Sequence, residues 1–166
     1  MPPSSAKAKK GKEFESKLIQ KLKVETEKRN IQLIRFYDSF SGFTGGKRVS
    51  VRIPGQVSDF MFVFNGSKCC LIEFKYTETE NFHLGMLSDS QLLGFENSLK
   101  YDFFYFVLVY STFDFKYYLL NSKRIDEINP KRVMSREFKL KDHFDSDAFL
   151  DIKHLFEILK QQYNLL

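Results

Sequence analysis

The 166-residue chain predicts one α/β (α+β) domain, a single mixed β-sheet flanked by helices, and three features carry that prediction. Phe14, Leu18, Ile19 and Leu22 fall on one face of a 3.6-residue period, the mark of a helix with one buried side. Two strand-like runs, 57–64 and 69–75, flank Asn65-Gly66, a dipeptide that tolerates the positive φ of tight hairpin turns. The apolar run 103–110 is followed, after a short turn at 112–114, by the strand-like run 115–120. Such a run reads as a central strand buried on both faces, with its neighbour beside it. Helices and strands that alternate within one chain of this length form one layered domain.

The elements follow in order. Residues 1–10, with Pro2, Pro3, Ser4, Ser5 and three lysines, are expected to form a flexible basic arm ahead of a single domain over 11–166. The first helix is placed near Gly11. Residues 31–37 have strand character. Ser39 to Gly46 is expected to be a loop, with Gly42, Gly45 and Gly46 as breakers. Val49, Val51 and Ile53 alternate with Ser50 and Arg52, which predicts a half-exposed strand that ends at Pro54-Gly55. Residues 76–87 are polar and irregular, and 88–100 are helical around Leu92, Leu93, Phe95 and Leu99. A last helix is expected from about 148 to 163, on Phe149, Ile152, Leu155, Phe156, Leu159 and Tyr163, with Asp147 as its N-cap. There is no internal repeat.

Composition removes several classes of function. No stretch approaches the roughly 20 apolar residues of a membrane span. The first residues lack the apolar core of a secretory signal, so a cytoplasmic protein is expected. Cys69 and Cys70 are adjacent, which is no disulfide framework, and the three histidines do not complete a zinc spacing. The two cysteines read as small apolar strand residues. Net charge is +5, and residues 1–52 hold 13 Lys/Arg against 5 Asp/Glu, whereas the remainder holds 13 against 16. A basic first third fits a polyanionic partner, nucleic acid above all; the competing reading is a solvated basic tail.

The chemistry concentrates in 57–75. Alternation along a strand puts Glu73 and Lys75 on one side and Phe74 on the other. A carboxylate and an ammonium in an apolar strand are either an exposed pair at a sheet edge or a buried pair with a task, because burying charge costs several kcal/mol unless it is paired or binds metal. Asp59 lies on the strand that folds back against Glu73. A two-residue turn at Asn65-Gly66 would set Asp59 opposite Ile72, on the wrong face. A three-residue connection or one bulge would set it opposite Glu73. Two converging carboxylates make a hard oxygen site for Mg²⁺ or Mn²⁺, and a neighbouring lysine can orient water and offset charge on a phosphate.

Asp59 followed by Glu73-x-Lys75 resembles the PD-(D/E)xK nuclease motif, with Ser58 where the literal proline would stand. Phe82-His83-Leu84, the Ser88-Asp89-Ser90-Gln91 helix start and the 103–120 strand pair are similar to RecU-type Holliday junction resolvases. That resemblance implies a restriction-endonuclease-like core with a short stalk at about 40–55. It implies Mg²⁺, with Mn²⁺ as the alternative, held by Asp59 and Glu73, with Gln91 contributing to the metal or its water and Lys75 stabilising the transition state. Glu15 on the first helix would stand behind these residues, with Glu13 the weaker candidate. It implies a homodimer acting on four-way DNA junctions. Lys7, Lys9, Lys10, Lys12, Lys47, Arg48 and Arg52 would contact DNA, and Phe40 and Phe43 would sit at the junction centre or in the dimer interface. The family has Thr two residues before the first acid, and here that residue is Val57. Three rival functions stay open: a nuclease of restriction or repair type, a non-catalytic or weakly catalytic junction-DNA-binding protein of the same fold, and an α+β interaction protein with an exposed Glu73-x-Lys75 on an edge strand.

Overall fold

The structure, a computed structural model, describes residues 5–36, 39–44, 47–52, 56–64 and 68–165, with 5–12, 39–44 and 47–52 described as backbone only. Helix α1 (Ser5–Lys28) begins six residues before Gly11, so residues 5–10 of the expected flexible arm are helical. The run Ala6-Lys7-Ala8-Lys9-Lys10 has no apolar face but consists of strong helix formers. Leu18, Ile19 and Leu22 are buried, as their spacing predicts. The helix ends where Asn30 turns left-handed (φ 54°) and the Ile31 amide donates to the Thr26 carbonyl at 3.0 Å.

The strands are β1 (Gln32–Arg35), β2 (Ser39–Thr44), β3 (Lys47–Arg52), β4 (Phe60–Val63), β5 (Cys69–Thr77), β6 (Asn81–Phe82), β7 (Phe104–Ser111), β8 (Lys116–Asn121), β9 (Phe138–Lys139) and β10 (Ala148–Phe149). Six form the main sheet in the order β1-β4-β5-β7-β8-β10. Only β5 and β7 run parallel; every other neighbouring pair is antiparallel, so the sheet is mixed. The parallel pair requires a crossover, which α2 (Asp89–Tyr101) supplies. The remaining helices are α3 (Ser122–Ile128), α4 (Leu140–Phe144) and α5 (Lys153–Gln161).

The sheet divides two cores. Phe60, Phe62, Ile72, Phe74, Phe106, Leu108 and Leu119 pack on one face with Leu18 and Leu22 of α1 and Leu155, Phe156 and Leu159 of α5. Tyr105, Val107, Val109, Tyr118 and Leu120 pack on the other with Phe95 of α2, Ile125 of α3 and Phe144 of α4.

Three expectations are corrected. The glycine-rich 39–44 segment is a strand, β2, paired antiparallel with β3 in its own two-stranded sheet. Backbone hydrogen bonding to β3 holds it extended despite Gly42. The last helix begins at Lys153, because Ala148 and Phe149 pair with Tyr118 and Tyr117 as β10. Asp147 therefore closes a short 3-10 turn and caps no helix. Residues 76–87 are more ordered than their polarity suggests: β5 runs to Thr77, β6 pairs with β9, and Leu84–Met86 forms a 3-10 turn. Among the described residues no helix is long and apolar enough to cross a membrane.

Candidate active site

The register of the β4–β5 hairpin settles the face of Asp59. Phe60 is paired with Ile72 and Val63 with Cys69, and the Phe64 amide donates to the Lys68 carbonyl at 2.8 Å. The connection beyond that bond is the three residues 65–67. Continuing the register by one residue sets Asp59 opposite Glu73, the arrangement that a three-residue connection predicts. Asp59 also accepts a hydrogen bond on Oδ2 from the Phe74 amide at 2.8 Å. That bond pins its carboxylate to the strand that carries Glu73 and Lys75.

Glu73 is the most deeply buried acid of the group, only 1% exposed. Lys75 Nζ donates to Glu73 Oε1 at 2.6 Å, with the lysine side chain 18% exposed. The pair is therefore the buried alternative, in the middle of the sheet beside β7, and not an edge-strand ion pair. Glu73 Oε2 is buried with no donor among the described residues. Burial, and then the Asp59 charge beside it, pushes the Glu73 carboxyl up to about 8 even though Lys75 pulls the other way.

Gln91 completes the cluster from α2. Ser88 caps that helix: its hydroxyl accepts from the Gln91 amide, and its own amide donates to Gln91 Oε1 at 2.9 Å, a capping box. The same Oε1 accepts from Lys75 Nζ at 3.0 Å, and Nε2 donates to Glu73 Oε1. One glutamine thus locks the helix N-terminus and both members of the strand pair. Its carbonyl oxygen, the atom a hard cation would take, already accepts two hydrogen bonds, and in this geometry Gln91 positions Glu73 and Lys75.

Two further residues build the site that the sequence does not single out. Tyr105 on β7 donates its hydroxyl to the Val57 carbonyl at 3.0 Å. Burial, and then the Glu73 and Asp59 charges, drives its ionisation upward, so it stays a neutral donor. Gly94 lets α2 approach closely, since a Cβ there would stand 2.8 Å from the Val57 carbonyl oxygen. The signal for Tyr105 is parity: pairing of Leu71 with Tyr105 puts it on the Glu73 face, but only once β5 and β7 are known to be neighbours.

The other candidates lie elsewhere. Glu15 accepts from Arg35 Nη2 at 2.7 Å. Arg35 is paired with Phe60, so this ion pair sits on the α1 side of the sheet, away from Glu73 and Lys75. Glu13 is exposed. Lys7, Lys9, Lys10 and Lys12 lie on the first turns of α1, and Lys47, Arg48 and Arg52 on β3; their side chains, with those of Phe40 and Phe43, lie outside the described residues. Cys69 and Cys70 are free thiols, the first exposed and the second buried.

Among the described residues no three His, Cys, Asp or Glu side chains cluster as metal ligands. The acid set is the Asp59–Glu73 pair. The pair fits a hard divalent cation: each of the two facing carboxyls opposes the other's ionisation, a bound cation would favour both in the ionised form, and Glu73 Oε2 has no donor among the described residues.

No protein-family model matches the chain. No curated protein matches it. Among solved structures it is similar to the Holliday junction resolvase Hjc of Archaeoglobus fulgidus, an archaeal hyperthermophile, at 17% identity and a TM-score of 0.43, covering 69% of this chain and 78% of that one.

Proposed function

We propose that the chain is a divalent-metal-dependent endodeoxyribonuclease that cuts branched DNA, four-way junctions foremost, in the manner of the RecU-type resolvases its motifs resemble. One observation carries the reading: Asp59 and Glu73 stand opposite each other on one sheet face, beside Lys75, with a buried Glu73 oxygen that no donor among the described residues satisfies. Asp59 and Glu73 would hold Mg²⁺, or Mn²⁺ as the alternative, through their carboxylate oxygens. The ion would neutralise phosphate charge and make bound water more acidic.

Lys75 has three N–H donors and commits two, to Glu73 and Gln91. Its third, at the half-exposed lip, is the group that meets a backbone phosphate and offsets the charge that builds on it. Gln91 and Glu73 fix the ammonium, so it needs no reorganisation as charge develops. Net reaction adds water across the phosphorus–3′-oxygen bond, giving a 5′-phosphate and a 3′-hydroxyl. Glu15 would act at a distance, through the α1–β1 packing. Lys7, Lys9, Lys10, Lys12, Lys47, Arg48 and Arg52 would add salt-dependent phosphate attraction. A four-way junction has two-fold symmetry, which a two-fold homodimer matches with one site for each of two opposed strands. Recombination and repair of DNA in the cytoplasm is the setting this activity serves.

A second reading has its own support. Val57 cannot ligate through its side chain, and its carbonyl is taken by Tyr105. A junction-binding protein with weak catalysis would look the same at this position. Cleavage of a labelled four-way junction beside a matched linear duplex, in Mg²⁺ or Mn²⁺, separates the readings. Paired symmetric nicks on the junction are expected, and their loss in Asp59→Asn, in Lys75→Ala and in EDTA. Tight junction binding without nicks favours the second reading, and equal cutting of linear duplex points to a restriction or repair nuclease.

A further inference from the structure

Every residue from 130 to 137 is exposed, yet the loop they form is built, not slack. Asn129, fully buried, clamps it: its Oδ1 accepts from the Val133 amide at 3.1 Å and its Nδ2 donates to the Val133 carbonyl at 3.0 Å. The Arg132 amide donates to the Asn129 carbonyl at 2.8 Å, with Arg132 itself left-handed (φ 49°). The Arg132 guanidinium is spent on Asp126 at 2.9 Å and lies 3.9 Å from Glu96 of α2. The loop is also fastened to the segment that leads into α2. The Gly85 amide donates to the Met134 carbonyl at 2.9 Å, and Gly85 lies three residues before Ser88, the cap that holds Gln91.

The loop carries Lys131, Arg132 and Arg136 against Glu137, and Glu137 accepts from Asn81 Nδ2 at 2.9 Å. Lys131 and Arg136 are in no ion pair among the described residues. Between them stand Val133 and Met134, 45% and 40% exposed. Two cations with no ion-pair partner among the described residues, on either side of a short apolar crest, match one surface in particular. Phosphates flank a minor groove about 6 Å wide, and apolar side chains can enter it. The basic excess of residues 1–52 gives no hint of this second contact.

We infer that the 130–137 loop grips the duplex arm beside the scissile phosphate, with Lys131 and Arg136 on the backbone phosphates and Val133 and Met134 against the minor-groove edge. The inference rests on the nuclease reading above. The test is fluorescence anisotropy of a labelled four-way junction in EDTA over a salt series, with wild type, the double variant Lys131→Ala/Arg136→Ala, and Lys160→Ala, at an exposed residue of α5, as the charge control. The double variant is expected to bind about tenfold more weakly, with a log–log salt slope shallower by about two, while Lys160→Ala matches wild type. Replacing the same two residues by Arg and Lys respectively should restore the slope. Wild-type affinity and slope in the double variant overturn the inference and leave the nuclease reading intact. An equal loss in Lys160→Ala also overturns it, since the effect is then general charge. A change in oligomeric state by sedimentation, without a change in slope, makes the loop a contact between copies and overturns it too. Failure of wild type to bind any DNA sinks both readings.

Discussion

The two faces of β5 are built on opposite terms. Cys70, Ile72 and Phe74 enter a continuous apolar core under α1 and α5. Glu73 and Lys75, one residue out of phase, sit under α2 in a hydrogen-bonded cluster with Gln91 and Asp59. Both faces exclude water, but the first gains from exclusion and the second is penalised by it. A protein that keeps a buried carboxyl pushed up to about 8, with an oxygen that no donor among the described residues reaches, holds a local cost that the apolar face offsets. Such conflicts between local stability and burial mark functional sites.

The largest effect that can break this contrast is on pH dependence. The Glu73 carboxyl is raised from an ordinary value near 4.5 to about 8, so between those values the folded chain binds more protons than the unfolded one. Stability therefore falls as pH rises through that window, and the contribution is complete only below about 4.5. The shift corresponds to an upper limit of about 5 kcal/mol. Urea unfolding in EDTA at pH 5 and pH 8 should show wild type losing stability relative to Glu73→Gln. Two parallel curves would mean that the buried charge carries no penalty, and the contrast between the faces would disappear.

The apolar face should respond in the other sense. Phe62 is fully buried on β4, with its ring 5.5 Å from that of Phe156 and 6.3 Å from that of Phe64. Phe62→Ala should cost about 3–5 kcal/mol. The loss should be the same at pH 5 and pH 8, because Phe62 packs among apolar rings and beside the Cys70 thiol, which burial pushes up and keeps protonated. A loss that depends on pH would show that the two faces are coupled through the strand.

The site was more legible than much of the frame that holds it. Asn65-Gly66 marks the hairpin, and the alternation of Glu73, Phe74 and Lys75 assigns their faces. The requirement that Asp59 join Glu73 then calls for a three-residue connection or one bulge, and the observed register has the first. Residues 121–147 were opaque for a physical reason. Their elements are α3 of seven residues, β9 of two and α4 of five, too short to show a period. They are held by single buried anchors, Ile125, Phe138, Leu140 and Phe144, whose partners are distant in sequence. The C-terminal helix misled in the opposite way. Phe149 continues the apolar spacing of Ile152, Leu155 and Phe156, but reaches the same core from a strand, stacked on Tyr117 at 5.4 Å. The early start of α1 had no apolar signal at all, only the propensity of Ala6 to Lys10.

The smallest effect is the sharpest, because it touches the polar face without touching its charges. Ser88 is exposed and outside the cluster, yet its hydroxyl accepts from the Gln91 amide and its amide donates to the Gln91 side chain. Ser88→Ala removes the first bond, together with the hydroxyl's contact with Ser90 Oγ at 3.1 Å, keeps the second, and should cost about 1 kcal/mol of stability, as caps do. If the cap serves only the helix, cleavage well below the melting temperature will be unchanged. If it also sets Gln91 over Lys75 and Glu73, kcat will fall by about fivefold at unchanged KM, and Ser88→Thr will restore both stability and rate. The second outcome is the expected one, since Gln91 Oε1 serves the cap and Lys75 with the same atom. A helix terminus that loosens by a fraction of an ångström then loosens the ammonium that the proposed mechanism sets against the phosphate.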